Sequence, residues 1–164
     1  MTRKICLYGI LSSVCIVLGF LEHLVSLDFI APGVKLGLSN SVALILIFYG
    51  DIKGAFAVNI VRILLSGLLF SSPMTMCYSL LGGISALVVM TLFSKIKFIS
   101  IYGVSVLGAV THNLAQLVCA GVLLGSGVWY YSPILLISGL VCGMFTAFIS
   151  NLINKRLKEA NNKY

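Results

Sequence analysis

Acidic side chains are scarce: Glu22, Asp28, Asp51 and Glu159 are the four among 164 residues. Charge of either sign is thin as well, at 9% of the chain, where a soluble domain carries about 25%. Hydrophobic residues fill 60% and the mean hydropathy is +1.12. So few polar residues cannot coat a water-facing surface, which excludes a soluble enzyme, a disordered tail and a coiled coil. CxxC pairs are absent, and none of the five cysteines lies near a histidine at metal-ligand spacing. Cys6, Cys15, Cys77, Cys119 and Cys142 each fall in or beside an apolar run, as small buried hydrophobes do. There is no P-loop glycine-lysine motif and no Ser-His-Asp set, so neither ATP hydrolysis by this chain nor nucleophilic catalysis is expected. No metal or cofactor is implied.

What is present is a series of helix-length apolar runs, at about 5–25, 36–50, 54–70, 74–93, 98–124 and 133–154. Pro, Gly, Ser, Asp and Lys punctuate them. At about 20 residues per membrane crossing, 164 residues form a single transmembrane domain, 1–164, with six spans and short loops. The expected fold class is all-α and polytopic. The second and third runs are short for a full crossing and imply helices that are tilted or packed against protein. The N-terminal run is basic at its start, but it is long, lacks an A-x-A site and ends at Glu22-His23; it reads as a retained first span.

The net charge of +7 is distributed as topology signals rather than as a nucleic-acid surface. With six spans, Arg3, Lys4, Lys53, Lys95, Lys97, Lys155, Arg156, Lys158 and Lys163 collect on one side and Lys35 alone on the other. That asymmetry puts both termini in the cytoplasm. Trp129-Tyr130-Tyr131 then lies at the outer interface, and the chain belongs in the cytoplasmic membrane.

A weak internal repeat runs through the second half. GAFAVNIVRILLSGLLF at 54–70 aligns with GAVTHNLAQLVCAGVLL at 108–124, matching Asn59 with Asn113 and setting Arg62 on Gln116. The following runs align through Ser72-Pro73 and Ser132-Pro133. This predicts a parallel repeat of a helical hairpin, a pattern common in transporters.

The informative residues are polar ones inside apolar runs. Arg62, near the middle of the third span, costs at least about 2.5–3.5 kcal/mol to insert. Asn59, Arg62 and Ser66 share one helical face. His112 and Gln116 are one turn apart in the fifth span, with Asn113 beside His112. Glu22 and His23 close the first span, and Asn40 begins the second. These residues are expected to build one polar ligand site between the membrane centre and the outer face. Structural readings stand beside that one: Arg62 pairs with Glu22, the amides knit helices together, His112 is a satisfied core residue, and Lys35 snorkels to the interface. Lys35 and Arg62, with Glu22 as the nearby acid, point to a ligand carrying phosphate or carboxylate.

The first external loop reads Pro32-Gly33-Val34-Lys35-Leu36-Gly37-Leu38-Ser39-Asn40. Together with N-x-x-R-x-L-L-S-G in the third run and H-N-x-x-Q in the fifth, it resembles the Gx transporter family, also labelled heptaprenyl diphosphate synthase component I. The resemblance spans Ile5 to about Arg156. That family is similar to the substrate-binding S components of energy-coupling factor transporters. The resemblance implies six helices, an outward-opening pocket capped by the first loop, and a small-residue face on the first helix that docks a T component driven by two ATPases. Gly9 and Ser13 are the nearest match to that face, with Cys15 and Gly19 a second small pair. The synthase label meets a chemical obstacle. Prenyl transfer uses aspartate-rich magnesium sites to neutralise the departing diphosphate, and this chain has no Asp-Asp pair.

The expected function is the substrate-binding membrane subunit of a small-molecule importer. Arg62 and Lys35 would take an acidic group, while Glu22, Asn40, Asn59, His112, Asn113 and Gln116 orient the ligand. The alternatives are a non-catalytic membrane accessory subunit, partnered by a prenyl diphosphate synthase in prenyl diphosphate or quinone synthesis, and a partner in flavin- or quinone-linked electron transfer. The topology is directly testable. In a cysteine-free background, an impermeant maleimide added to intact cells should label Ser126→Cys and leave Lys95→Cys unmodified; labelling at Lys95 would sink the six-span arrangement.

Overall fold

The computed structural model describes residues 2–24, 37–70 and 72–161, and no strand occurs among them. Six α-helices follow in order: α1 Thr2–Leu24, α2 Leu38–Phe48, α3 Ile52–Phe70, α4 Pro73–Phe93, α5 Ile101–Leu124 and α6 Ser132–Asn161. A short 3₁₀ helix, Ser126–Tyr131, leads into α6. The 3₁₀ turn and the loop before α5 take Phe98 and the Trp129-Tyr130-Tyr131 segment out of the long helices.

Helix ends follow from side-chain chemistry. Ser72 Oγ accepts from the Thr75 amide at 3.3 Å ahead of Pro73, and Ser100 Oγ accepts from the Gly103 amide at 3.3 Å. Both are N-caps that satisfy an otherwise orphaned donor. Asp51 does the same for α3, its Oδ1 accepting from the Gly54 amide at 3.1 Å. Gly37 enters α2 at φ +76°, a left-handed conformation that glycine adopts without steric cost.

Five helices are long and apolar enough to cross a membrane, and α2 is not among them. Eleven residues at 1.5 Å each reach about 16 Å, against a hydrocarbon core of about 30 Å. The expected second run at 36–50 is observed as the short helix Leu38–Phe48, as its shortness in the sequence implied. The reason is visible in its surroundings: α2 packs on α1, α3, α4 and α6, and Ser39, Ser41, Val42, Ala43, Leu44, Leu46 and Ile47 are buried. Protein surrounds much of its backbone, and it leads from the Glu22 end of α1 to the Asp51 turn beside Tyr8.

The long helices surround α2 and turn apolar side chains outward. Ile5, Ile10 and Val17 of α1, Leu68 of α3, Val122 of α5 and Ile137 and Val141 of α6 are all exposed. A continuous apolar exterior of this kind is covered by lipid, and the chain is a multi-pass membrane protein. Inside, Cys15, Leu44, Ala55, Val58, Leu87 and Val104 form the main core around α2. A smaller cluster, Leu117 and Leu135 with Val128 and Ile134, closes the end beneath the 3₁₀ helix.

Long-range hydrogen bonds set α1, α2 and α6 against one another. The Tyr8 hydroxyl in the first turns of α1 donates to Asp51 Oδ2 at 2.6 Å, at the α2–α3 turn. Toward the other end of α1, Glu22 accepts from the start of α2. In α6, Thr146 donates to the Gly37 carbonyl at 3.3 Å and Ser150 to the Ser41 carbonyl at 3.4 Å. The start of α1, the α2–α3 turn and the C-terminal part of α6 thus share one end of the bundle.

Asp51 lies at that end, outside the spans. The Tyr8 hydroxyl first, and the Gly54 amide and the Lys4 charge after it, hold its carboxyl below the ordinary range against the opposing effect of partial burial. A depressed carboxyl stabilises the fold fully above its unfolded value, near about 4, and loses that contribution as pH falls through the lowered folded value. Tyr8→Phe removes the largest cause. Thermal unfolding in detergent should show the variant less stable than wild type at pH 7, with the two curves converging in acid; curves that stay parallel to pH 3 would refute the linkage.

Candidate functional site

The first turn of α2 is the meeting point of α1, α3 and α6. Ser39, only 2% exposed, is bonded from three sides. Its amide donates to Glu22 Oε1 at 3.0 Å, its carbonyl accepts from Cys15 Sγ at 3.7 Å, and its hydroxyl accepts from Arg62 Nη1. Arg62 Nη2 donates to Asn59 Oδ1 at 2.9 Å, one turn back on α3. Glu22 therefore caps the positive end of α2, while the guanidinium is held by two neutral oxygens.

That geometry settles how the buried charges coexist. Arg62 and Glu22 reach the same residue through different atoms, so Ser39 bridges them. Glu22 is 8% exposed and Asn59 3%. Two donors of the cluster, Arg62 Nε and Asn59 Nδ2, are buried with no hydrogen-bond partner. A buried donor in that state costs about 1–3 kcal/mol.

The other polar residues expected in one site divide between interfaces. His112 and Gln116 lie against Gly82 of α4: a Cβ at Gly82 would stand 2.9 Å from Gln116 Cγ and 3.1 Å from His112 Cε1. The neighbouring Gly83 faces the opposite partner, where a Cβ would meet Ile63 Cδ1 at 2.6 Å and Asn59 Nδ2 at 2.9 Å. The glycine pair lets α4 approach the polar faces of α3 and α5. Asn113 turns to α6 instead, donating to the Leu135 carbonyl at 2.8 Å and approaching Ser138 Oγ at 3.4 Å. It joins two helices and is not part of the Arg62 cluster. Asn40 follows Ser39 in α2, its amide bonded to the Gly37 carbonyl at 2.9 Å. Ser66 bonds its own helix at Ile63. Lys35, with the rest of the first loop to Leu36, lies outside the described residues, as does the His23 side chain.

Sequence reasoning missed Ser39 and Cys15. Ser39 stands inside the loop motif, one residue after the helix start that Gly37 marks, where a first-turn amide and hydroxyl both need partners. That position was the available signal. Gly9 and Ser13 are exposed on α1, with open space around Gly9 and the Ser13 hydroxyl bonded to the Gly9 carbonyl at 3.0 Å.

A family model described as heptaprenyl diphosphate synthase component I matches residues 11–153. The chain belongs to that family. The matched span contains every residue of the Ser39 cluster and both halves of the internal repeat, so the heptaprenyl diphosphate synthase component I assignment covers the bundle and not one motif. No curated protein and no solved structure matches the chain.

The bridge is testable by its asymmetry. Ser39→Ala removes the hydroxyl that accepts from Arg62 and keeps the amide bond to Glu22. It should lower stability by about 1–3 kcal/mol, the cost of stranding a buried donor. Glu22→Gln still offers an oxygen to the Ser39 amide and should cost less. Thermal unfolding in detergent micelles ranks the two; the reverse order would show that the bridge does not run through the hydroxyl.

Proposed function

We propose that the protein is the substrate-binding membrane subunit of an importer of the energy-coupling factor type, and that its ligand presents an acidic group to Arg62. The observation that carries this reading is the Arg62–Asn59 pair, in which two buried donor atoms, Arg62 Nε and Asn59 Nδ2, have no partner. A cation in the bilayer interior is expensive, and structural pairing alone would have consumed its donors. Asn59 sits beside Arg62, and the cluster hangs on the first turn of a helix of only 11 residues. Short helices ending inside a membrane protein are a recurrent way of building ligand sites at that depth. Lys35, Asn40, His112 and Gln116 extend the same reading toward the outer face, with both termini in the cytoplasm and the chain in the cytoplasmic membrane. Gly9 and Ser13, exposed on α1, suit the close approach of a partner helix, here a T component coupled to ATPase subunits.

The family's description favours a second reading: a non-catalytic membrane subunit that accompanies a soluble prenyl diphosphate synthase. The absence of any Asp-Asp pair assigns the metal-dependent chemistry of such an assembly to the partner, and Asp51 is already engaged by Tyr8 and Gly54.

Affinity purification from native membranes separates the two. The importer reading expects ATPase and T subunits to copurify, and expects Gly9→Leu with Ser13→Leu to abolish that association while the bundle stays folded, since lipid accepts leucine. Recovery of a soluble prenyl synthase without ATPases would replace the importer reading with the accessory one.

A further inference from the structure

The repeat offers an internal control for the orphaned amide. Asn59 and Asn113 occupy matching places in the two hairpins. Asn113 Nδ2 is satisfied by the Leu135 carbonyl of the following helix. Asn59 Nδ2 faces Gly83 of its own following helix and has no acceptor. The same side chain is thus used as a helix joint in one hairpin and left with a spare donor in the other. The spare donor belongs to a residue that is 3% exposed and is tied to Arg62 through Oδ1, and Arg62 Nε is left over in the same way.

We infer that Asn59 Nδ2 and Arg62 Nε form a two-point site for the carboxylate of a monocarboxylate ligand. The inference rests on the ligand-binding reading above and narrows its acidic group. Phosphate sites draw on several donors, commonly the free amides of a helix N-terminus. The first-turn amides near this cluster are committed: that of Ser39 to Glu22 and that of Asn40 to Gly37. At the start of α4, Ser72 already takes the Thr75 and Met76 amides. Two donor atoms, Arg62 Nε and Asn59 Nδ2, are left without any partner, a pair that suits a planar two-oxygen acceptor. Charge points the same way. Among the described residues Arg62 is the only Lys or Arg in the middle of a helix, and Glu22 lies one bridging residue away. A phosphate ester brings up to about two negative charges at pH 7, leaving an excess in a medium where uncompensated ions are strongly disfavoured. A carboxylate brings one, and a guanidinium with only neutral oxygens around it is its natural partner.

The test uses three probes with one chain length: hexanoate, hexyl phosphate and hexanamide. Binding to the full chain in lipid nanodiscs is read by saturation-transfer NMR at pH 7, with empty nanodiscs as the blank. Asn59→Asp is the decisive variant. It keeps the oxygen that accepts from Arg62, so the cluster should stay folded, and it replaces the spare donor by a negative oxygen. Saturable hexanoate binding that weakens by about tenfold or more in Asn59→Asp and in Arg62→Gln, with hexyl phosphate and hexanamide weaker on wild type, is the expected result. Tighter hexyl phosphate binding that depends on the same two residues would overturn the carboxylate assignment and leave the acidic-ligand reading standing. Hexanamide binding as tightly as hexanoate would overturn the role of charge, and with it that reading. Hexanoate binding unchanged in both variants, or absent from wild type, would overturn the site.

Discussion

A guanidinium inside an apolar bundle has to be met by oxygen atoms, and the arrangement of this protein follows from how those oxygens are supplied. Arg62 lies midway along α3, partly exposed and among apolar neighbours, and Ser39 and Asn59 supply its oxygens. Ser39 can serve only because α2 begins where it does. Glu22 accepts from the Ser39 amide, Cys15 donates to its carbonyl, and Thr146 donates to the carbonyl of Gly37 just before it. Two helices, α1 and α6, thus position one hydroxyl. A short helix that would be unstable alone is held at the centre of the bundle by these bonds and by the burial of Val42, Leu44, Leu46 and Ile47.

The same constraint explains why the opposite charge is not in direct competition for Arg62. Two ions leaving water lose more than a single contact returns unless their remaining valences are filled. Glu22 spends one oxygen on the amide at the positive end of α2, where the helix dipole favours a carboxylate. Arg62 spends its two terminal nitrogens on neutral oxygens. The Coulombic attraction between the two charges acts across Ser39.

Much of the fold was legible because membrane helices announce themselves by length and apolarity. The five long helices overlap the apolar runs, and the cap at Ser72 stands where a punctuation residue did, whereas the Ser100 cap falls inside the run expected to start at 98. The shortness of α2 has a specific source. Hydropathy counts apolar residues but does not say whether lipid or protein surrounds them, and most residues of α2 are buried by neighbouring helices. The polar residues were legible as a set and not as a site. Asn113 and Asn59 carry the same local signature, yet one faces α6 and the other the Arg62 cluster. The rotation of each helix depends on the glycines and bulky residues of its neighbours, which a residue-by-residue reading does not combine.

The two hairpins show how a repeated sequence acquires two uses. In α5 the position matching Arg62 is Gln116, an uncharged residue that needs no counter-ion and packs at Gly82. Without a guanidinium to bond, the neighbouring Asn113 is released to join α5 to α6. In α3 the guanidinium takes the asparagine's oxygen and fixes its amide nitrogen toward α4, where Gly83 offers no acceptor beyond the backbone of its own helix. The asparagine that matches in sequence is thus a helix joint in one hairpin and the oxygen partner of a guanidinium in the other.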